Sequence, residues 1–81
     1  MQVTVHFYSY FKDLTGCPQT AETLTEHATI GDLLRQLNEQ FPKLAAMKNS
    51  MLIAVGVEYQ DRAYVLKEGD AVSLFPPVQG G

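Results

Sequence analysis

The sequence predicts a single α+β domain in which one amphipathic helix packs across a mixed β-sheet. Apolar and polar residues alternate at the N-terminus, which is the period of a half-buried strand. Apolar residues recur at helical spacing in the middle of the chain, and short apolar runs follow in its second half. The first and last predicted strands would run parallel if they lie side by side, whereas a hairpin is antiparallel, so the sheet would be mixed.

Two strands and a turn account for the first part of the chain. The alternation runs from Val3 to Ser9 and predicts the first strand. Phe11 and Leu14 then stand three positions apart, which indicates one helical turn closed by Gly16. A second strand, antiparallel to the first, is expected from Thr20 to Thr25.

The clearest predicted element is a helix that begins at Thr29. Thr29 is a favourable N-cap residue, and Asp32 resembles the acidic partner of a capping box. The polar residues between the apolar positions, Gln36 among them, are expected on the solvent face, and Pro42 ends the helix. The apolar stripe is predicted to pack on the sheet, and it consists of Ile30, Leu33, Leu34, Leu37 and Phe41.

Strands are predicted again after the helix. The mostly apolar run Met51–Val57 is typical of an inner strand, and Gly56 indicates a bulge or a strand end. The pattern from Tyr59 to Tyr64 is weak. A polar turn at 67–70 precedes the last strand, Ala71–Phe75.

Composition and charge argue against several classes of function. The six Lys and Arg residues are scattered and the formal net charge is −3, so a nucleic-acid partner is not expected. No apolar run is long enough to span a membrane, and the N-terminus does not resemble a signal peptide, so we expect a cytoplasmic protein. Cys17, His6 and His27 form no ligand pattern, and no metal site is expected.

The chain is expected to divide into a domain at 1–75 and a flexible, extended tail at 76–81. Pro76 and Pro77 remove ladder donors, end the sheet and favour a stiff segment. Gly80 and Gly81 add no side chain, so the tail would end in a thin thread with an accessible carboxylate. Glycines at a terminus can also be mere fraying, and a diglycine alone is a weak signal.

A carboxylate at the end of such a thread becomes reactive once it is adenylated. Adenylation replaces a poor electrophile with an acyl-phosphate bond and a good leaving group. A sulfur donor could then attack, and the ionised sulfur of the resulting thiocarboxylate would be nucleophilic at neutral pH, as a thiolate is. The sequence therefore indicates a reusable carrier of one sulfur atom on Gly81.

The segment Gly69–Gly81 resembles the signature of the molybdopterin synthase small-subunit family, a Gly-Asp-x-Val strand followed by Phe-Pro-Pro-Val-x-Gly-Gly. This resemblance implies a β-grasp, or ubiquitin-like, fold. Gly56 departs from the pattern, because members usually carry Asn there. Four other elements fall where members of the family have them: the strand Val3–Phe7, the turn Leu14–Gly16, the helix Thr29–Phe41 and the strand Leu52–Val55.

The resemblance also implies a pathway and partners. An ATP-dependent adenylating enzyme and a sulfur donor protein would convert Gly81 through an acyl-adenylate to a thiocarboxylate. The large subunit of molybdopterin synthase would accept the tail and transfer its sulfur to cyclic pyranopterin monophosphate, within a heterotetramer. The residues that assist transfer belong to the large subunit, so this chain would be non-catalytic alone and would hold no permanent cofactor.

The residues at the end of the last strand receive two predicted roles. Gln79 and Gly80 would thread the tail into a partner. Phe75 is expected to point away from the core, because Val72 and Leu74 take the core face, and its alternative role is to cover the sheet edge. The residues assigned to docking are Phe75, Pro76, Pro77 and Val78.

Two other features are interpreted as structural. Cys17 could carry a persulfide, but it precedes Pro18 and has no histidine nearby in sequence, so an inert thiol is favoured. Tyr8, Tyr10 and Phe11 could form a binding patch, but sheet packing and a covering turn explain them.

Three alternatives to the molybdopterin pathway stay open. A sulfur carrier for thiamine thiazole or tRNA thiolation would share the fold and the diglycine. A ubiquitin-like protein modifier would use the same adenylate to form an isopeptide bond with a lysine. A plain binding module would have an incidental tail. The Phe-Pro-Pro-Val ending and the chain length favour the molybdopterin branch.

Overall fold

The computed structural model describes residues 1–47 and 50–77, and this part of the chain forms a five-stranded sheet in the order β2-β1-β5-β3-β4. The strands are β1 (Gln2–Phe7), β2 (Gln19–Thr23), β3 (Leu52–Val55), β4 (Glu58–Tyr59) and β5 (Ala71–Phe75). The helices are α1 (Phe11–Thr15), α2 (Ile30–Gln40) and α3 (Pro42–Ala45). The pair β1 and β5 is parallel and the other pairs are antiparallel, which confirms the predicted mixed sheet.

The strands β1 and β5 lie side by side at the centre of the sheet. Their register places Val5 beside Val72 and Phe7 beside Leu74. These four side chains are buried beneath α2 and α3, because alternation along both strands directs them to the same face. The parallel pairing also brings the end of β5 next to the end of β1.

The helix α2 begins with the predicted capping box. The Thr29 hydroxyl accepts a hydrogen bond of 3.2 Å from the Asp32 N–H, and the Thr29 N–H donates one of 2.9 Å to the Asp32 carboxylate. These bonds, first from the backbone and then from the hydroxyl of Thr29, lower the pKa of Asp32 from its usual value. Four of the five predicted apolar positions are buried in the helix: Ile30, Leu33, Leu34 and Leu37.

Phe41 lies just beyond the helix as its C-cap residue and is half-buried. Its ring contacts Phe7 edge to face, with 5.7 Å between ring centroids. The predicted end of the helix near Pro42 is therefore right to within one residue, since Pro42 starts the separate short helix α3.

The segment after β3 differs in extent from the prediction. β3 ends at Val55, and Gly56 at φ 62° forms the turn into β4, so Gly56 marks a strand end. β4 has only two residues, after which the chain turns toward the start of α2. There the N–H groups of Ile30 and Gly31 donate to the carbonyls of Tyr64 and Arg62, each at 3.0 Å. These bonds satisfy donors that a helix N-terminus otherwise leaves free.

Glu22 on β2 is a buried carboxylate that the sequence analysis did not predict. It is 3% exposed and lies on the helix side of the sheet, opposite Val3. The side-chain amides of Gln36 and Gln40 each donate to it at 2.8 Å, and the Thr20 hydroxyl donates at 3.0 Å. The expectation that Gln36 faces solvent is therefore wrong, because Gln36 is half-buried against β2.

Across the described ranges 1–47 and 50–77, no helix is both long enough and apolar enough to cross a membrane. The same residues contain no group of three or more His, Cys, Asp or Glu side chains arranged to hold a metal ion.

Candidate docking surface at the exit of the tail

The end of β5 lies between the end of β1 and the start of β3. Leu74 is paired with Phe7 on one side, and Phe75 is paired with Leu52 on the other. Val72 and Leu74 are fully buried on the helix side, so strand alternation places Phe75 on the opposite, open face. Phe75 is half-buried there, on the face that the sequence analysis expected.

Phe75 packs against Tyr8, the residue that follows β1. The two rings are stacked, with 4.6 Å between centroids and an interplanar angle of 14°. Tyr8 itself is 43% exposed. The interpretation of Tyr8 as simple sheet packing is therefore incomplete. Its ring is partly exposed to solvent and covers Phe75, the last residue before the tail.

Tyr8 could have been found from the sequence by extending the register. Residues 4, 6 and 8 share one face of β1, and residues 71, 73 and 75 share the same face of β5. A parallel pairing of the two strands therefore brings Tyr8 beside Phe75. The predicted parallel pairing did not identify this pair, because the pairing alone assigns no register.

Beyond Leu52, the open face borders a cavity of about 490 Å³. It lies where the strand pairing of β3 with β4 stops. β4 pairs only with Ala54 and Val55, and the N–H of Gln60 donates to the Ile53 carbonyl at 3.0 Å. The walls are mostly apolar and consist of Met51, Leu52, Ile53, Tyr59, Gln60, Asp61, Arg62 and Ala63.

A continuous apolar strip thus crosses the open face at the end where the tail begins. We call it the exit strip, and it consists of Tyr8, Phe75, Leu52 and Tyr59. Tyr59 is 71% exposed, so this end of the sheet offers aromatic surface that the fold itself does not use. Large aromatic side chains at an exposed site are typical anchors for protein partners.

Only some of the predicted docking and threading residues belong to the described part of the chain, which ends at Pro77. Pro76 and Pro77 are half-buried and continue directly from Phe75, next to the exit strip. The other four predicted site residues lie outside the described residues, so their roles stay predictions; they are Val78, Gln79, Gly80 and Gly81.

Cys17 is half-buried and packs against the hydrophobic core. Its sulfur lies 3.9 Å from the hydroxyl of Thr15. The interpretation of Cys17 as an inert thiol stays a prediction.

Comparison with known proteins finds matches over the whole chain. The ThiS family model matches residues 5–81. The small archaeal modifier protein 3 of Haloferax volcanii is 30% identical, with all of both chains covered. The molybdopterin synthase sulfur carrier subunit of Chlamydomonas reinhardtii is 31% identical, also with all of both chains covered.

Solved structures share the fold. The crystal structure of SAMP1 from Haloferax volcanii superposes with a TM-score of 0.90 at 21% identity and covers 100% of both chains. A putative molybdopterin converting factor subunit 1 from Pyrococcus furiosus gives 0.84 at 28% identity, over 96% of this chain and 99% of that one. A chain in the complex of subunits 1 and 2 of the molybdopterin-converting factor from Helicobacter pylori gives 0.71 at 26% identity, with full coverage of both chains. These likenesses confirm the β-grasp fold.

Proposed function

The chain belongs to the ThiS family, and from this premise we propose that it is a sulfur carrier whose working group is the C-terminal carboxylate of Gly81. The observation that carries the proposal is the extent of the family match, which runs through residues 5–81 and so includes the diglycine. The fold agrees with this use, because β5 ends at Phe75 and six residues follow it.

The chemistry needs only the carboxylate from this chain. An adenylating enzyme joins the Gly81 carboxylate to AMP from ATP and releases pyrophosphate. Sulfur at the oxidation level of sulfide then attacks the acyl carbon, the bond to AMP breaks, and a thiocarboxylate forms. The absence of side chains at Gly80 and Gly81 keeps the path to this carbon open. The thiocarboxylate sulfur is the group that the carrier delivers.

We assign the delivered sulfur to molybdopterin synthesis. Relatives named as molybdopterin synthase sulfur carrier subunits match along the full chain, and the Phe-Pro-Pro-Val segment supports the same branch. The loaded tail would enter a large subunit, where its sulfur passes to cyclic pyranopterin monophosphate within a heterotetramer. The complex from Helicobacter pylori supports a partner of this kind. The large subunit would supply the catalytic residues.

Phe75 and Tyr59 of the exit strip are the residues through which we expect both partners to recognise the carrier. The strip ends at Phe75, and Pro76 and Pro77 follow directly, so a protein that takes up the tail also meets these two rings. The rings can anchor a partner, while the short chain beyond them delivers the carboxylate.

A protein modifier is the second candidate, favoured by the 30% identity with the small archaeal modifier protein 3. A modifier would form the same adenylate but would pass Gly81 to the amine of a target lysine, with an isopeptide bond as the product. Carriers of the thiamine-thiazole and tRNA-thiolation pathways would form the same thiocarboxylate and deliver it to another acceptor.

The test is accurate intact mass after incubation with ATP, the cognate adenylating enzyme and a sulfur donor. The Cys17→Ser protein is compared with the same protein lacking Gly80 and Gly81. A carrier exchanges one oxygen for one sulfur, only when the diglycine is present, and the product reacts with a thiol-selective alkylating reagent. The alkylation step separates this product from oxidised methionine, which has nearly the same mass.

The outcomes distinguish the candidates. Alkylatable product followed by sulfur transfer to the cyclic pterin with a large subunit supports the molybdopterin assignment, and alkylatable product without transfer points to another sulfur pathway. Conjugates on a denaturing gel support a modifier. Absence of any product with an enzyme that loads its own carrier would rule out both uses of the tail.

A further inference from the structure

We infer that Tyr8 is a positioning residue for the reaction at Gly81, because its ring fixes the direction in which the chain leaves the sheet at Phe75. This inference rests on the proposed function, since it concerns how the same carboxylate is presented to the loading enzyme. Tyr8 lies near the N-terminus, far in sequence from the tail, and the proposed chemistry at Gly81 does not itself require this residue.

The backbone of Tyr8 is held on two sides. Its N–H donates to the Leu74 carbonyl at 3.1 Å, and its carbonyl accepts from the Phe11 N–H at 3.1 Å. The next residue, Ser9, has φ 57°, in the left-handed region that residues other than glycine rarely adopt. Tyr8 is therefore tied to β5 through one bond and to α1 through the other, so its position relative to Phe75 is set by the fold.

The ring of Tyr8 is the part that acts on Phe75. The two rings lie 4.6 Å apart and nearly parallel, an arrangement that aromatic pairs favour when the rings are offset. The stacked geometry means that the contact is made by the ring face and not by the hydroxyl. On its other side, Phe75 is paired with Leu52, and the side chain and backbone of Phe75 are thus both held.

The two prolines carry the direction set at Phe75 further along the chain. Each proline ring fixes its own φ at about −65° and disfavours helical backbone in the residue before it. Phe75 and Pro76 both precede a proline, so the path through Pro77 has little freedom. A change at Phe75 is therefore passed on to the residues that follow rather than absorbed at the first bond.

This matters for loading because the enzyme must hold the domain and reach the last carboxylate in one complex. Six residues separate Phe75 from the chain end, a reach of at most about 20 Å when fully extended. If the chain left the sheet in many directions, fewer bound complexes would place the carboxylate against ATP. Loss of the Tyr8 ring should then lower the rate of adenylation in the complex more than the affinity for the carrier.

The test measures carrier-dependent ATP–pyrophosphate exchange by the adenylating enzyme, with kcat and KM for the carrier. Tyr8→Phe keeps the ring and should behave as the wild type. Tyr8→Leu should lower kcat/KM between about twofold and tenfold, mainly through kcat. Tyr10→Leu is the matched control, because Tyr10 is 41% exposed but packs on Phe11 instead of Phe75. The midpoint of thermal unfolding of each variant shows whether the substitution has changed the stability of the domain.

A double-mutant cycle with Phe75→Leu gives the sharper result. If Tyr8 acts through Phe75, the double variant should be no slower than Phe75→Leu alone. Additive losses, a loss confined to KM, or an equal loss in Tyr8→Phe would overturn the inference, since each indicates that Tyr8 touches the enzyme directly. If the wild type supports exchange and Tyr8→Leu supports it at the same rate, the positioning role is overturned but the proposed function is not. A wild type that supports no exchange with an active enzyme would overturn the proposed function as well.

Discussion

The carboxylate of Glu22 on β2 accepts a hydrogen bond of 2.8 Å from Gln40 on α2, eighteen positions further along the chain. Gln36 donates to the same oxygen, and Thr20 donates to the other. A buried polar group is costly unless it is hydrogen-bonded, and here donors from a strand and a helix surround the carboxyl group. The group therefore links the edge strand of the sheet to the main helix.

Replacing Glu22 by Ala should destabilise the domain by about 1 to 3 kcal/mol, because the amides of Gln36 and Gln40 and the hydroxyl of Thr20 lose their acceptor. Urea unfolding followed by circular dichroism measures the change. Glu39→Ala, at an exposed position of α2, serves as the control and should change the free energy of unfolding by less than about 0.5 kcal/mol. Equal stability of the two variants would contradict the role of Glu22.

The capping box predicts a dependence of stability on pH. The hydrogen bonds from Thr29 lower the pKa of Asp32 below 3.8, its value in an unfolded chain. Because the pKa of Asp32 is lower in the folded state, the ionised carboxylate adds to the free energy of unfolding at pH values above 3.8. This contribution is lost as the pH falls through the pKa of the folded state. Asp32→Asn should therefore be less stable than the wild type at neutral pH, and the gap should narrow on acidification.

Unfolding in urea over a series of pH values measures that gap. The exposed Asp13, on α1, supplies a control through Asp13→Asn, which should show no comparable narrowing. A gap between wild type and Asp32→Asn that stays constant from neutral pH to well below 3.8 would mean that the charge of Asp32 does not contribute.

Phe75→Ala should weaken binding of the carrier to both the adenylating enzyme and the large subunit. Truncation of an aromatic anchor typically costs about 1 kcal/mol or more, which corresponds to roughly a fivefold change in the dissociation constant. Calorimetry with each partner measures the effect. Val57→Ala is the control, because Val57 is 98% exposed and lies outside the exit strip. Unchanged affinity for both partners would remove Phe75 from the docking surface.

Cys17→Ser should leave the amount of thiocarboxylate and its transfer unchanged, because the thiol packs on the core and the proposed sulfur is bound at the C-terminus. Single-turnover transfer from loaded carrier, compared between wild type and variant, measures this. Loss of transfer in a variant that still folds would make Cys17 a sulfur-carrying residue.

The elements with a local signal were predictable from the sequence. The capping residues Thr29 and Asp32 and the apolar residues at helical spacing predict the helix α2. Each of these signals depends only on residues close to one another in the sequence. The strand β1 follows in the same way from strict alternation. The faces of β5 were also predictable, because Val72 and Leu74 alternate with Phe75.

The features that depend on pairing between distant segments were not predicted. Burial of Glu22 follows from the position of β2 beneath α2, which no pattern around Glu22 indicates. The contact between Tyr8 and Phe75 depends on the parallel register of β1 and β5. The cavity beside Leu52 lies where β4 ends, and the sequence pattern there is weak.

The central place of β5 has a mechanical consequence. A force applied to the tail is transmitted directly to Phe75 and pulls β5 along its own axis, between β1 and β3. Because hydrogen bonds on both flanks oppose this sliding together, they must rupture nearly at once instead of opening one after another from an edge. A partner can therefore pull on the C-terminus, or dissociate from it, without opening the sheet progressively from one edge.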